Sequence, residues 1–442
     1  MTEREYSSQS AELLLAHELT AFCHSDSLSE EGLHEIIVHH NHNYLTPNNN
    51  ESEYIFFLAA CRNERVTTGI IQCLLEYFPA AASATGNNGR SPLHVACGNK
   101  NVTLNIVQLL IDAAPNSVLN VDYQGWMPLH YLCDNTNLNE SAATKILKLL
   151  IEKHPEAIRH VDNKGHLPIH LACASRSPEF CRMLIEAYPG PERTSNTNGL
   201  LPFHFACANN NVATVECLYK LYPGAINHTT TSGAYPIHYA IAGLGIRSNN
   251  PTAAVEIVQF LLDCDPNVKL QEAEDLSLLY FACQGEYTDA NIEAALQAIK
   301  IIYDAHPEAI EDNDIASNIQ RYHQQVQTFI NSQLVYSRQA KDHSLMTTPD
   351  ANGRLPLHNL LRDNVILGSI KLFATSNTAA IQTPDKSGAL PLHVACEHHE
   401  SSSVVSYLLG LDMNTFHSVT MKETLLSTTP AAMHSMILYL YF

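Results

Sequence analysis

The chain has 442 residues, 45% of them hydrophobic, and no stretch stays apolar for long enough to cross a membrane. Its 25 lysines and arginines stand against 45 aspartates and glutamates, a formal charge of −20. A polyanion of this size repels nucleic acid and anionic membranes, both of which need a positive stripe, and no basic run provides one.

From the N-terminus, Met1-Thr2-Glu3-Arg4-Glu5 lacks the apolar core of a secretory signal. The spacing predicts helices from Ala11 to His24 and from Ser29 to His40, the second opening on Ser29-Glu30-Glu31 as N-cap and first turn. Leu28, Leu33, Ile36 and Ile37 give that helix an apolar side, and residues 1–52 are expected to cap one end of a stack built by the rest of the chain. Here His34-Glu35-Ile36-Ile37-Val38-His39 misses the His-Glu-x-x-His zinc pattern by one residue, since side chains five apart do not share the face that four apart would.

One phrase then repeats. Its fullest form is Asn88-Gly89-Arg90-Ser91-Pro92-Leu93-His94-Val95-Ala96-Cys97, and it returns at Gly125–Cys133, Gly165–Cys173, Gly199–Cys207, Gly233–Ile241, Gly353–Leu361 and Gly388–Cys396. A worn copy at Asp275–Cys283 has Leu278 in place of proline and Tyr280 in place of histidine, and Phe57-Leu58-Ala59-Ala60-Cys61 is a fainter one. The phrase prolines are 92, 128, 168, 202, 236, 356 and 391, a period that means stacked repeats. Proline suits the first turn of a helix, and the glycine three residues before it permits the preceding tight turn. After each phrase comes a polar break and a run such as Val102–Pro115, with Leu104, Ile106, Val107, Leu109, Leu110 and Ile111 filling most of a helix face. Each unit is therefore helix, turn, helix and an extended finger, and only stacked neighbours can bury its apolar side.

The phrase resembles the Gly-x-Thr-Pro-Leu-His-x-Ala-Ala core of the ankyrin repeat, over roughly residues 54–412. The fold class is thus all-α: an ankyrin-repeat solenoid of helix-turn-helix units with finger loops, interrupted by one long inserted helix. Repeats are expected at 53–312 and 349–412, and an amphipathic inserted helix within 313–348. That helix, at about 314–338, shows Ile315, Ile319, Tyr322, Val326, Phe329, Ile330 and Leu334 at steps of three and four. His343 holds the next closing slot, so the insertion is read as standing in for a missing unit. The tail, 413–442, lacks the phrase due near 425, yet the codons of Val419 to Ala431, read out of step, can spell Asp-Asn-Glu-Gly-Asn-Thr-Ala-Leu-His-Tyr-Ala-Cys. It is read as aberrant and frame-shifted, leaving Val404, Val405, Leu408 and Leu409 exposed at an uncapped end.

Seven of the twelve cysteines (Cys61, Cys97, Cys133, Cys173, Cys207, Cys283 and Cys396) hold one repeat slot and read as small buried hydrophobes. Equivalent slots in successive units lie too far apart for disulfides, which favours a reducing, cytoplasmic setting. The repeated histidines (His94, His130, His170, His204, His238, His358 and His393) are one structural slot a unit apart. The resemblance implies that each bonds backbone in adjoining loops. No phosphate-binding loop, nucleophile elbow or dinucleotide-binding glycine run is present, so neither an enzyme nor a cofactor is expected.

What remains is a surface for one or more protein partners, with neither nucleic acid nor membrane among them. The resemblance implies binding through finger tips and the turn after each first helix. Carried over, the candidates are Arg90, Tyr123, Trp126, Lys164, His166, Leu200 and Arg354 on fingers, with Asn99, Asn135 and Asn209 on turns. Trp126, the only tryptophan, is either an interface anchor or a ring folded over its neighbour finger. The expected function is a non-enzymatic scaffold or adaptor binding through a concave, finger-lined face. The alternatives are a structural spacer, or the interaction arm of a protein whose catalytic domain lies outside these residues.

Overall fold

A computed structural model describes residues 3–40, 54–246, 250–265, 277–398 and 401–411. The chain divides into two compact units, Met1–Ala240 and Ile241–Phe442, each described by itself. The division falls within the run 53–312, not at the insertion. Among the described residues all regular structure is helical.

In the first unit, short helices Ile55–Arg62, Pro92–Cys97, Pro128–Asp134, Pro168–Ser175 and Pro202–Asn209 alternate with helices Thr68–Tyr77, Leu104–Ala113, Glu140–Lys153, Pro178–Ala187 and Val212–Leu221. Local chemistry sets each boundary. Proline starts four of these five short helices. Thr67, Thr103, Ser177 and Asn211 cap four of the second helices by accepting the backbone N–H three residues on. A 3-10 turn, such as Pro115–Leu119, then leads into the finger. First helices pack on first helices and second on second, burying Ile106, Val107 and Leu110 completely or nearly so. Each such side chain contributes about 1.5–3 kcal/mol relative to exposure, and Leu110→Ala would remove about 2–5 kcal/mol.

The N-terminal pair is Glu3–His24 and Glu30–His39, the first beginning eight residues earlier than expected. Its helices pack on Ile55–Arg62 and Thr68–Tyr77 respectively, the row-on-row pattern of the repeats. The Asn63 amide donates to Cys23 O and Ser25 O at 3.0 and 2.9 Å, as Asn99 does one unit later to Cys61 O and Asn63 O at 2.9 Å each. This pair stacks as a repeat although it lacks the phrase.

In the second unit, Pro251–Cys264 packs on Ile292–Ala305, and the worn phrase forms a helix, Leu278–Cys283, capped by Ser277. Tyr280, in the histidine slot, accepts from the Asn318 amide at 3.2 Å. The insertion corrects one expectation: instead of a single helix at 314–338 there are Asn313–Asn318, a 3-10 turn Ile319–Arg321, and Gln324–Lys341. Tyr322, 5% exposed and extended at ψ 160°, breaks the run, and the Gln327 amide takes up its freed carbonyl at 2.8 Å. The apolar spacing runs through the break because Ile319, Tyr322 and Val326 are still three and four apart and all buried. Gln324–Lys341 packs on both Ile292–Ala305 and Leu367–Ser376, which also touch each other.

Two further pairs complete the unit, Pro356–Arg362 with Leu367–Ser376 and Pro391–His398 with Ser402–Leu411. Val404, Val405, Leu408 and Leu409, expected to be exposed, are buried in a cluster with Ile370, Phe373 and Leu392. The tail assigned to a frame shift lies outside the described residues.

Candidate protein-binding face

Each finger is built by three residues at fixed offsets. The glycine takes φ of +74 to +85° at Gly89, Gly125, Gly165, Gly199, Gly233, Gly353 and Gly388. At Gly125 a Cβ would also meet Asn163 N at 3.0 Å, so both conformation and space demand glycine there. Three residues earlier a side-chain oxygen closes the loop: Asp122 Oδ1 accepts from Gln124 N and Trp126 N at 2.8 and 2.9 Å. Asp162, Asn196, Asp350 and Asp385 do the same in their fingers, and Thr230 caps Ala234 N. Burial alone would raise the Asp122 carboxyl, but donors from Tyr131 and the finger backbone outweigh it and hold it below its usual value. Asp162 is held low in the same way.

Fingers are then tied together. Tyr123, Asn163, Thr197 and Thr231 donate their N–H groups to Asn88 O, Gln124 O, Lys164 O and Asn198 O at 3.0–3.1 Å. The phrase histidines lock this ribbon to the helices. Nδ1 of His94, His130, His170 and His204 accepts the N–H three residues before it at 3.0–3.1 Å. Nε2 of the first three donates to Trp126 O, His166 O and Leu200 O on the next finger at 3.0, 3.2 and 3.1 Å. Both bonds require the neutral ring. Burial pushes His94, His130 and His170 down to about 4 and His204 to about 3.

The candidates fall into three groups. Asn99 and Asn135 are buried, 6% and 8% exposed, and their amides hold carbonyls of the preceding turn, so they offer no free surface. Asn210 fills this slot in a later unit, leaving Asn209 exposed beside it. Arg90, Trp126, His166 and Arg354 are half-buried braces. Arg90 lies 3.5 Å from Asp122 and over the Tyr131 ring. Trp126 donates to Asp162 at 3.0 Å and meets Tyr131 edge-on at 5.1 Å, so it does fold onto the neighbouring finger. His166 pairs with Asp162 at 3.0 Å, and Arg354 with Asp385 at 3.3 Å. Leu200 is half-buried, while Lys164 and Tyr123 are exposed, Tyr123 by 74%.

Several residues that matter were not singled out from the sequence. Aromatic residues that follow a phrase histidine reach the preceding repeat: Tyr131 meets Arg90 and Trp126, Phe205 meets His166 at 5.4 Å, and Tyr239 meets the ring of His204 at 5.3 Å. Arg176, 2% exposed, takes the asparagine slot where the preceding turn is longer, and donates to Leu132 O and Leu138 O. Cys173 and Cys181 bring their sulfurs within 3.8 Å inside one unit, a pairing that spacing between units does not address. Burial raises the Cys173 thiol well above its usual value. His34 meets the Tyr77 hydroxyl at 3.1 Å, and no group of three or more metal-ligating side chains is placed to hold an ion among the described residues. None of the described helices is long and apolar enough to cross a membrane.

Stacked helix pairs with a hydrogen-bonded finger row define a helical-repeat protein. A family profile for ankyrin repeats (3 copies) matches residues 56–145 and 101–195, so this stretch of the chain carries ankyrin repeats. No curated protein matches the chain. Ankyrin repeats generally mediate protein–protein interaction, and the family is typically non-catalytic.

Proposed function

We propose that this protein is a scaffold or adaptor without catalysis of its own, binding a protein partner through the concave, finger-lined face of its first unit. The observation that carries this reading is Tyr123. Its ring is 74% exposed on a finger whose backbone is fixed on both sides by hydrogen bonds. A pre-ordered aromatic loses little entropy on binding and is a common interface anchor. Asn209 and Lys164 extend the accessible surface, whereas Trp126 and Arg90 act mainly by holding the fingers. The twelve free cysteines suit a reducing compartment such as the cytoplasm.

The test is to capture a partner with the intact chain, purify both, and compare Tyr123→Ala and Lys164→Ala with the parent by calorimetry. The reading expects Tyr123→Ala to weaken binding by about 1–3 kcal/mol at unchanged melting temperature. Binding untouched by either change would place the interface elsewhere.

A further inference from the structure

Three rows run along the finger-lined face of the first unit, each with one residue per repeat. On the helices, at the position after the phrase histidine, stand Tyr131, Leu171, Phe205 and Tyr239, all half-buried, while Val95 at this position one repeat earlier is buried. These ledges are apolar or aromatic, and Trp126 extends the first of them by edge contact with Tyr131. On the finger tips, just before the glycine, stand Asn88, Gln124, Lys164, Asn198 and Ser232, all exposed and all side-chain donors. Between them the finger backbone is already paired, finger to finger. A strand added along the fingers would therefore find no free backbone edge, which removes β-augmentation.

The pitch of the rows narrows the occupant further. Packed helices lie about 8–10 Å apart, so ledges recur at about that interval. Side chains on one side of a β-strand recur at about 6.6 Å and fall out of step. A polyproline II chain rises about 3.1 Å per residue, so every third side chain recurs at about 9.3 Å. Its backbone carbonyls are also unpaired, whereas those of an α-helix are consumed internally. The row of finger-tip donors suits the former.

Charge completes the match. Residues 54–240 carry thirteen acidic and thirteen basic side chains, so the excess negative charge of the chain lies outside them. The carboxylates of these fingers, Asp122 and Asp162, are 5% and 7% exposed and held by backbone donors. Lys164 is exposed and enters no ion pair among the described residues, so the finger rim presents an unpaired positive point beside apolar and aromatic ledges.

We propose that this face receives an extended polyproline II segment of a partner, with proline or another apolar side chain at every third position and an acidic residue opposite Lys164. The proposal rests on the reading of this face as the binding surface. Apolar side chains at every third position would sit on the ledges, the finger-tip amides would donate to the carbonyls between them, and Lys164 would pair with the carboxylate.

The experiment is selection from a library of random sixteen-residue peptides on the intact chain, followed by affinity measurement of the winners on Lys164→Glu and Phe205→Ala variants. The expected winners show proline or apolar residues at i, i+3 and i+6 with an Asp or Glu. They should bind about ten-fold or more weakly to each variant, with the melting temperature of exposed Lys164→Glu unchanged. Winners with the i, i+3, i+4, i+7 pattern of an amphipathic helix, still weakened by Phe205→Ala, would overturn the segment class while leaving the face intact. Winners indifferent to both variants would overturn the face as well, and a library that yields no binder overturns the proposal.

Discussion

The repeats of the first unit and the region around the insertion in the second hold together by different means. Between Ile55 and Ala240 the same contacts recur: a glycine at positive φ, a loop-closing Asp, Asn or Thr, a histidine bridging two fingers, an asparagine bridging two turns. Around the insertion these are replaced by contacts that occur once. The Tyr303 hydroxyl meets Ser369 at 3.1 Å, and Ser369 donates to Gln333 at 2.7 Å, all three side chains buried. Asp304 accepts from Gly368 N, and Glu311 takes both Ser337 and Lys341 at 2.8 Å. Repetition spreads stability over many equal neighbour terms, so losing one leaves the rest. A unique buried network has no such redundancy, because each missing partner strands another polar group.

The sharpest way to break this comparison is Ser369→Val, which orphans the Tyr303 hydroxyl and the Gln333 carbonyl. At about 1–3 kcal/mol per stranded group, chemical denaturation should show about 2–6 kcal/mol lost. A loss within error would mean that the network is incidental. Asn135→Ala in the first unit strands the buried carbonyls of Cys97 and Asn99, but in a motif that the other repeats also carry; about 1–3 kcal/mol is expected, with neighbouring repeats still protected in amide exchange.

Acid should find the first unit by its histidines. Their folded values, about 4 or about 3, lie below the unfolded value near 6.5, so the unfolded chain takes up protons first. Stability is thus full above about pH 6.5 and falls as pH drops toward 4. A melting series from pH 7.5 to 4.5 that stayed flat would contradict neutral, bridging rings. The smallest effect belongs to Lys164→Ala: stability within about 0.5 kcal/mol of the parent, since the side chain is exposed.

The repetition explains what was legible. The phrase announced its glycine, proline and histidine at every copy, and the histidine bridges follow from it. The loop-closing position was also periodic, but its members vary from Asp122 through Asn196 to Thr230, sharing an acceptor oxygen and not a name. The turn asparagines are candidates for a binding surface in the sequence, because a polar side chain in a turn gives no hint that a neighbouring repeat will bury it. The N-terminal pair carries no phrase at all, and only packing and the Asn63 bridge reveal it as repeat-like. Contacts such as Tyr303 to Ser369, 66 residues apart, leave no periodic trace. The break at Tyr322 escaped because spacing of three and four continues through it.

Whether the first unit binds protein through its fingers is decided by hydroxyl-radical footprinting of the intact chain with and without a captured partner. The account predicts that Tyr123 and Phe205 lose reactivity on binding, while Tyr77 and Tyr222, which lie at the ends of second helices, keep theirs. Protection of Tyr77 and Tyr222 with Tyr123 and Phe205 unchanged would contradict it.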